Sequence, residues 1–412
     1  MALMPHDRQD GDAPRPAAET SGAPASADPL ERGRQLVALG DCRACHTARG
    51  GEPYAGGRAT PTPFGIFYAP NITPDAETGI GQWSADDFWR AIHDGKGRDG
   101  TPLYPTFPYT NFTKLSRADA DAMFAYLRAQ PAVSRKNQAH ELKFPYNHRI
   151  LLVGWRLLFF RPGVYESEPA QDAEWNRGAY LVQGLGHCSA CHEARNALGA
   201  MQSKDNPSGG LILNWYAPAL SAQVEAGVQD WSEDDIVALL KTGVSPRGSA
   251  MGPMAEVVYE SLQHADTGDL RAMAVYLKSL RDTGAPSAAG FQNLPRKAID
   301  AMKPRGQKLY AEHCAQCHGE QGEGRAPAAP ALAGSRAVTM VSAVNPIRVI
   351  LFGGYTPATQ GNPRPYGMPP FSQSLTDEQI AEVLTYVRTA WGNDARPVSG
   401  VEVSGNRAGP LW

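Results

Sequence analysis

All six cysteines of this 412-residue chain fall in three copies of one pattern: Cys42-Arg43-Ala44-Cys45-His46, Cys188-Ser189-Ala190-Cys191-His192 and Cys314-Ala315-Gln316-Cys317-His318. Two thiols at this spacing with an imidazole directly behind them could serve three chemistries. Structural zinc gathers four ligands from neighbouring Cys and His pairs, but each pair here stands more than a hundred residues from the next. A redox dithiol needs a βαβ setting and has no use for the following His. The third chemistry is covalent haem attachment, whose signature is C-x-x-C-H. The thiols add across the two vinyl groups of one haem, and the adjacent His comes to lie under the iron. Three full matches with no cysteine left over predict three covalent haem c groups. They would be held by Cys42 and Cys45, Cys188 and Cys191, and Cys314 and Cys317, with His46, His192 and His318 as axial iron ligands.

A thioether opposite the His is the common second ligand in electron-carrying cytochromes c. Met254, in Gly252-Pro253-Met254, lies 62 residues after His192, and Met368, in Gly367-Met368-Pro369, lies 50 after His318. Both sit beside proline ahead of a helical pattern, and both are expected to ligate iron, with Met251 as a weaker rival to Met254. The first copy breaks the rule: 61 residues after His46 stands Phe107, which has no lone pair. Met123 matches Met273 in the next repeat and reads as core. His93 is a minor candidate, and an open or water-bound sixth position is the other outcome.

The elements that position these residues recur three times. A short helix with a glycine leads into each motif: Arg32-Gly33, Arg177-Gly178 and Arg305-Gly306. An Ala-Pro pair follows, at Pro70, Pro218 and Pro330; its carbonyl is expected to accept the N–H of the axial His and so fix the ring. A helix comes next, over 83–93, 231–242 and 345–352, with Ser84 and Ser232 as N-caps. A closing helix ends each repeat, with apolar stripes at Ala120, Met123, Phe124, Leu127, at Leu270, Met273, Ala274, Leu277, and at Ile380, Val383, Leu384, Val387. Thr376 to Gln379 reads as a capping box.

These repeats predict an all-α chain of three tandem class I-type cytochrome c domains with loop-rich connections. The expected boundaries are a disordered leader over 1–28, domains over 29–135, 171–284 and 301–393, linkers over 136–170 and 285–300, and a polar, unstructured tail over 394–412. The first linker carries Arg149 to Arg161, RILLVGWRLLFFR, which reads as an amphipathic helix covering a domain junction or a partner surface. It is too short to span a bilayer. A net charge of −3 gives no reason to expect a nucleic-acid partner. No acid–base pair, nucleophile or phosphate loop stands out, so no catalytic residue is expected. Haem of this kind is attached outside the cytoplasm, which predicts a periplasmic chain. Residues 1–28 lack the apolar region of a signal peptide, so a removed or upstream targeting segment is expected, with membrane association through it or through partners.

With these residues in hand the chain resembles the triple-haem cytochrome c subunits of periplasmic, membrane-associated dehydrogenases, those of alcohol, gluconate, sorbitol and fructose. The marks are Asn71-Ile72-Thr73-Pro74-Asp75, Leu103-Tyr104-Pro105, Trp175-Asn176-Arg177-Gly178, Gly252-Pro253-Met254-Ala255-Glu256 and Trp391-Gly392-Asn393. The alcohol and sugar members carry Met where this chain has Phe107. The Phe form is more similar to relatives paired with molybdenum hydroxylases of the nicotinate and isoquinoline type or with aldehyde dehydrogenases. The resemblance implies an electron-transfer subunit without activity of its own. It would take electrons from a catalytic subunit holding flavin, quinone or molybdenum and deliver them to membrane quinone or a cytochrome or oxidase acceptor. The alternative is a peroxidase-like multihaem enzyme using an open first haem; its distal region, Tyr104, Phe107 and Tyr109, lacks the acid–base group such a pocket wants.

Overall fold

In the computed structural model, the described residues are 28–202, 206, 208–288, 291, 294–326 and 328–407. The leader expected over 1–28 lies outside them, except that the Asp28 carboxylate accepts the Leu30 N–H and caps the first helix.

Three pairs of helices carry the architecture. A leading helix, Pro29–Leu39, packs against a closing helix, Arg117–Arg128. Ala173–Tyr180, which continues into a π turn over Leu181–Leu185, packs against Thr267–Ser279, and Arg296–His313 against Asp377–Thr389. Each pair crosses at the glycine seen in the sequence. A Cβ on Gly33 would stand 2.1 Å from the Ala122 carbonyl oxygen, one on Gly178 1.9 Å from that of Ala272, and one on Gly306 2.1 Å from that of Glu382. Only a residue without a side chain lets the backbones approach this closely. The predicted apolar stripes form the buried sides of the closing helices.

The intermediate helices form as Ala85–Asp94, Glu233–Thr242 and Val344–Phe352. Ser84 and Asp87 make a reciprocal capping box, Ser232 caps through the Asp235 N–H, and Thr376 and Gln379 form the predicted box. A side-chain oxygen supplies the acceptor that the first turn lacks.

Three features depart from the sequence reading. Helices dominate, but the described residues also hold four small antiparallel sheets, so the strict all-α expectation is corrected. Two of their hairpins, Ala59–Thr62 with Gly65–Tyr68 and Gly210–Ile212 with Trp215–Ala217, lead directly into the Ala-Pro pairs. The third leading helix begins at Arg296, within the stretch read as linker, and runs through Pro304. The tail is not unstructured throughout. Gly400–Gly405 is helical, Val398 and Val403 are fully buried against the closing helix, and Arg407 pairs with Asp377. Two isolated valines in a polar stretch carry no periodic signal; only the groove they fill explains them.

One continuous apolar core runs from Leu36 through Leu115 and Leu181 to Leu277 and so belongs to the first two repeats jointly. The third repeat has its own core around Ile347, Leu351, Ile380, Leu384 and Val387.

Candidate haem sites

Each motif forms a short turn of helix: Cys42–His46, Ser189–His192 and Ala315–His318. At spacing i, i+3 and i+4 the two cysteines and the histidine of a motif lie on one side of such a turn, with Cys188 and Cys314 at its N-cap. The imidazole Nδ1–H of His46 donates to the Pro70 carbonyl at 2.8 Å, that of His192 to Pro218 at 2.7 Å, and that of His318 to Pro330 at 2.9 Å. All three bonds are those expected from the Ala-Pro pairs. Each fixes the ring's tautomer and leaves Nε2, with its lone pair, free to coordinate a metal. Burial lowers the pKa of His46 and His192, against the pull of the carbonyl bond, and so favours the neutral imidazole that a metal requires.

The three carbonyls are held in three different ways. Asn71, next to Pro70, donates its backbone N–H to the Asn137 side chain at 2.7 Å and its Nδ2–H to the Val133 carbonyl at 2.7 Å. Near Pro218, the Glu225 carboxylate accepts the Ala219 N–H at 2.9 Å and the Tyr216 hydroxyl at 2.7 Å. Near Pro330, the chain is clamped by an Arg325–Ala329 bridge and by Gly324, where a Cβ would meet the Ala331 nitrogen at 2.5 Å. In sequence Glu225 stands six residues before Trp231 as Glu77 stands six before Trp83, but Glu77 is exposed whereas Glu225 is buried.

Five of the cysteines are held away from the thiolate. Burial, aided by the Asp41 carboxyl, pushes Cys42 and Cys45 up to about 12; burial pushes Cys188 up to about 12 and Cys191 and Cys314 up to about 11. A redox dithiol needs the opposite shift. Among the described residues no group of three His, Cys, Asp or Glu side chains gathers as a metal cluster, so the pairs have no partners for zinc. Cys45 and Cys317 remain surface-accessible although protein packs around them. A pair of cysteines beside an imidazole with Nε2 free fits covalent haem in each motif.

Met254 lies in the first turn of Pro253–Glu260, half-buried against the shared core. Met251 reaches away: its Cε lies 3.1 Å from where a Cβ on Gly354 of the third repeat would stand, which favours Met254 over it. Met368 lies in a two-residue strand paired to Gly354, and a Cβ on Gly353 would meet the Met368 carbonyl at 2.3 Å, so glycines there let the methionine loop close down. Phe107 stands in an aromatic group, 5.5 Å from the ring of Phe112. His93 stacks on Trp89 at 4.3 Å and shares a hydrogen bond with Thr113 at 3.5 Å, so its ring has a structural role without iron. Met123 is buried in the core.

Residues of each of the first two repeats also fasten the motif of the other, which the sequence did not reveal. Arg43 pairs with Glu260 at 2.6 Å, Arg58 with Glu256, Ser261 donates to the Leu39 carbonyl at 3.2 Å, and His187 Nε2–H to the Gly40 carbonyl at 3.4 Å. In return Asn111 donates to Ser189 Oγ at 2.7 Å. Deeper in the seam, the buried Asp119 carboxylate accepts from Arg32 and, at 2.5 Å, from the Tyr180 hydroxyl.

This donor set defines a c-type cytochrome. The family described as Cytochrome c matches residues 30–131 and 304–391. The chain is 43% identical, over 90% of its length, to one of the subunits of nicotinate dehydrogenase from Pseudomonas putida, and spans 31% of that relative. It is 38% identical, over 89% of its length, to the cytochrome c subunit of a quinone-type alcohol dehydrogenase of Gluconobacter oxydans, covering 79% of it. It is 33% identical, over 95% of its length, to the cytochrome subunit of a fructose dehydrogenase of Gluconobacter japonicus, covering 86% of it. The chain belongs to the cytochrome c subunits of dehydrogenases.

Proposed function

We infer that the chain carries three covalent haems in three tandem domains and relays electrons from a dehydrogenase catalytic subunit to membrane quinone or another acceptor outside the cytoplasm. The observation that carries this reading is the threefold identity of the site: thiols, imidazole and a proline carbonyl at 2.7–2.9 Å in each repeat. Bound haem supplies a one-electron couple. The chain's own residues would hold it: Cys42, Cys45, Cys188, Cys191, Cys314 and Cys317 would bind it covalently, His46, His192 and His318 would ligate its iron, and Met254 and Met368 would supply sulfur ligands in the second and third repeats. The identity shared with the nicotinate dehydrogenase relative, together with Phe107, supports a partner of the nicotinate-oxidising type.

Phe107 leaves the first group without a sulfur ligand, and the stacking and hydrogen bond of His93 favour an open sixth position over His ligation. A pyridine haemochrome assay combined with intact mass on matured protein should give three haems per chain; a mass equal to the bare polypeptide would overturn the reading. Carbon monoxide should bind one haem of the reduced protein, and Phe107→Met should abolish that binding and raise the potential of the same haem. Three low-spin His-Met spectra in the unmutated protein would refute this assignment.

A further inference from the structure

Between the first two repeats, residues 143–161 read KFPYNHRILLVGWRLLFFR. The helix within it, Leu151–Phe159, is docked by one side only. Leu152 and Phe160 are buried, with Phe160 edge-on to Tyr109 at 5.0 Å. Trp155 donates its indole N–H to the Leu198 carbonyl at 3.0 Å, and Arg156 lies over the Tyr109 ring. Positions 152, 155, 156 and 160 make an inward stripe.

The outward side of an ordinary surface helix is polar. Here Ile150 is 74% exposed, Leu157 72% and Leu158 68%, and Phe144 nearby is 81% exposed. Nothing lies within 4 Å of where a Cβ on Gly154 would point. Nine of the 17 exposed large apolar side chains among the described residues fall between 144 and 164. Such concentration marks an interaction surface.

Its charge identifies what covers it. Residues 143–161 contain Lys143, Arg149, Arg156 and Arg161 and no acidic residue, in a chain whose net charge is −3. These cations donate to backbone carbonyls, of Pro63, Pro102, Gly95 and Leu157, and only Arg149 has a carboxylate, Asp99, in electrostatic reach among the pairings the structure shows, so the segment keeps a positive excess. Leucines and aromatic residues bordered by cations of one sign suit the headgroup level of an anionic bilayer. The helix is too short to cross one, and no helix among the described residues is long and apolar enough to do so.

We propose that the segment 143–161 is a membrane-surface dock: Phe144, Ile150, Leu157 and Leu158 enter the boundary between headgroups and acyl chains of an anionic bilayer, and Lys143, Arg149 and Arg161 face its phosphates. The proposal stands apart from electron transfer, because lipid binding is read without any redox assay.

The test uses the full haem-loaded chain and co-sedimentation with two kinds of vesicle, phosphatidylcholine alone and phosphatidylcholine mixed with phosphatidylglycerol. Binding should be strong to the mixed vesicles, weaker to the neutral ones and reduced by salt. The double variant Leu157→Ser, Leu158→Ser should bind at least about tenfold more weakly, because each leucine contributes its own apolar burial, while an unchanged haem spectrum shows that the fold persists. Lys143→Gln with Arg161→Gln should lose only the preference for anionic lipid. Failure of the unmutated chain to bind either vesicle, or equal binding by the leucine variant, would overturn the proposal. So would lipid-independent self-association, or capture by the purified catalytic subunit without lipid, that the leucine variant abolishes; the face would then belong to a second copy or to that subunit.

Discussion

Polar ties from the second repeat end on the Cys42–His46 turn of the first and on the chain just ahead of it, at Arg43, Gly40 and Leu39, and Asn111 of the first ends on Ser189 of the second. Between the second and third repeats the ties are of another kind. Arg336 reaches Asp230 at 2.6 Å, Asn345 exchanges two hydrogen bonds with the backbone of Tyr216, and Thr359 donates to the Thr242 carbonyl at 3.1 Å. These contacts come no nearer a motif than the hairpin ahead of Pro218, and the third motif is braced from within, by the Tyr310 hydroxyl on the Gly319 carbonyl at 2.6 Å. With one core under the first two repeats and another under the third, the difference teaches that the sequence repeat is not the folding unit. The first two repeats share one core and the last has another, and the two meet through buried and half-buried contacts such as Arg348 over the Trp215 ring.

The strongest way to break this comparison is at the helix crossings. Gly178→Ala and Gly306→Ala each force a methyl into a carbonyl oxygen about 2 Å away, which costs about 3 kcal/mol where backbone must shift. Calorimetry should show Gly178→Ala lowering the melting of the first two repeats together and Gly306→Ala lowering only that of the third. A single transition moved equally by both variants would erase the distinction.

Asp119→Ala is the next largest. It strands the Arg32 guanidinium and the Tyr180 hydroxyl in the seam, a loss of about 2–3 kcal/mol. Denaturant unfolding followed at the second haem should detect it although Asp119 belongs to the first repeat. A shift seen only at the first haem would mean that the two repeats fold independently.

The smallest effect sharpens the comparison through pH. Burial raises the pKa of the Glu225 carboxyl, and the Tyr216 and Ala219 bonds offset this only in part. A carboxyl raised by folding contributes its stability in full below its unfolded value, about 4.3, and loses it as pH climbs through the higher folded value. The first two repeats should therefore lose some stability as pH rises through that window. Glu225→Gln should flatten the slope, measured by thermal melts at stepped pH, and the third repeat should show no such change with the variant.

What was legible in the sequence was local. The motifs, the proline carbonyls, the caps at Ser84, Ser232 and Thr376 and the stripes of the closing helices are all patterns of short period, and physics acts on them within a few residues. The seam was not legible. Asp119 stands beside Asp121 in an ordinary helical surface sequence, and nothing nearby says which carboxylate is buried. Arg43 and Glu260 are 217 positions apart. The third leading helix starts at Arg296, inside the stretch read as linker, and runs through Pro304, a residue that ordinarily stops a helix.

The π turn at Leu181–Leu185 has a consequence for how this stretch can change length. Cys42 stands nine positions after Gly33, Cys188 ten after Gly178, and Cys314 eight after Gly306. The crossing and the axial imidazole are the two points that cannot move, so the helix between them takes up the mismatch. The repeat with the most residues widens a turn, the first ends its helix at Gly40 and sets Asp41 left-handed, and the third runs straight into Cys314. In the second repeat the extra residue is thus stored as pitch, as π turns store insertions elsewhere, and His192 keeps its carbonyl partner.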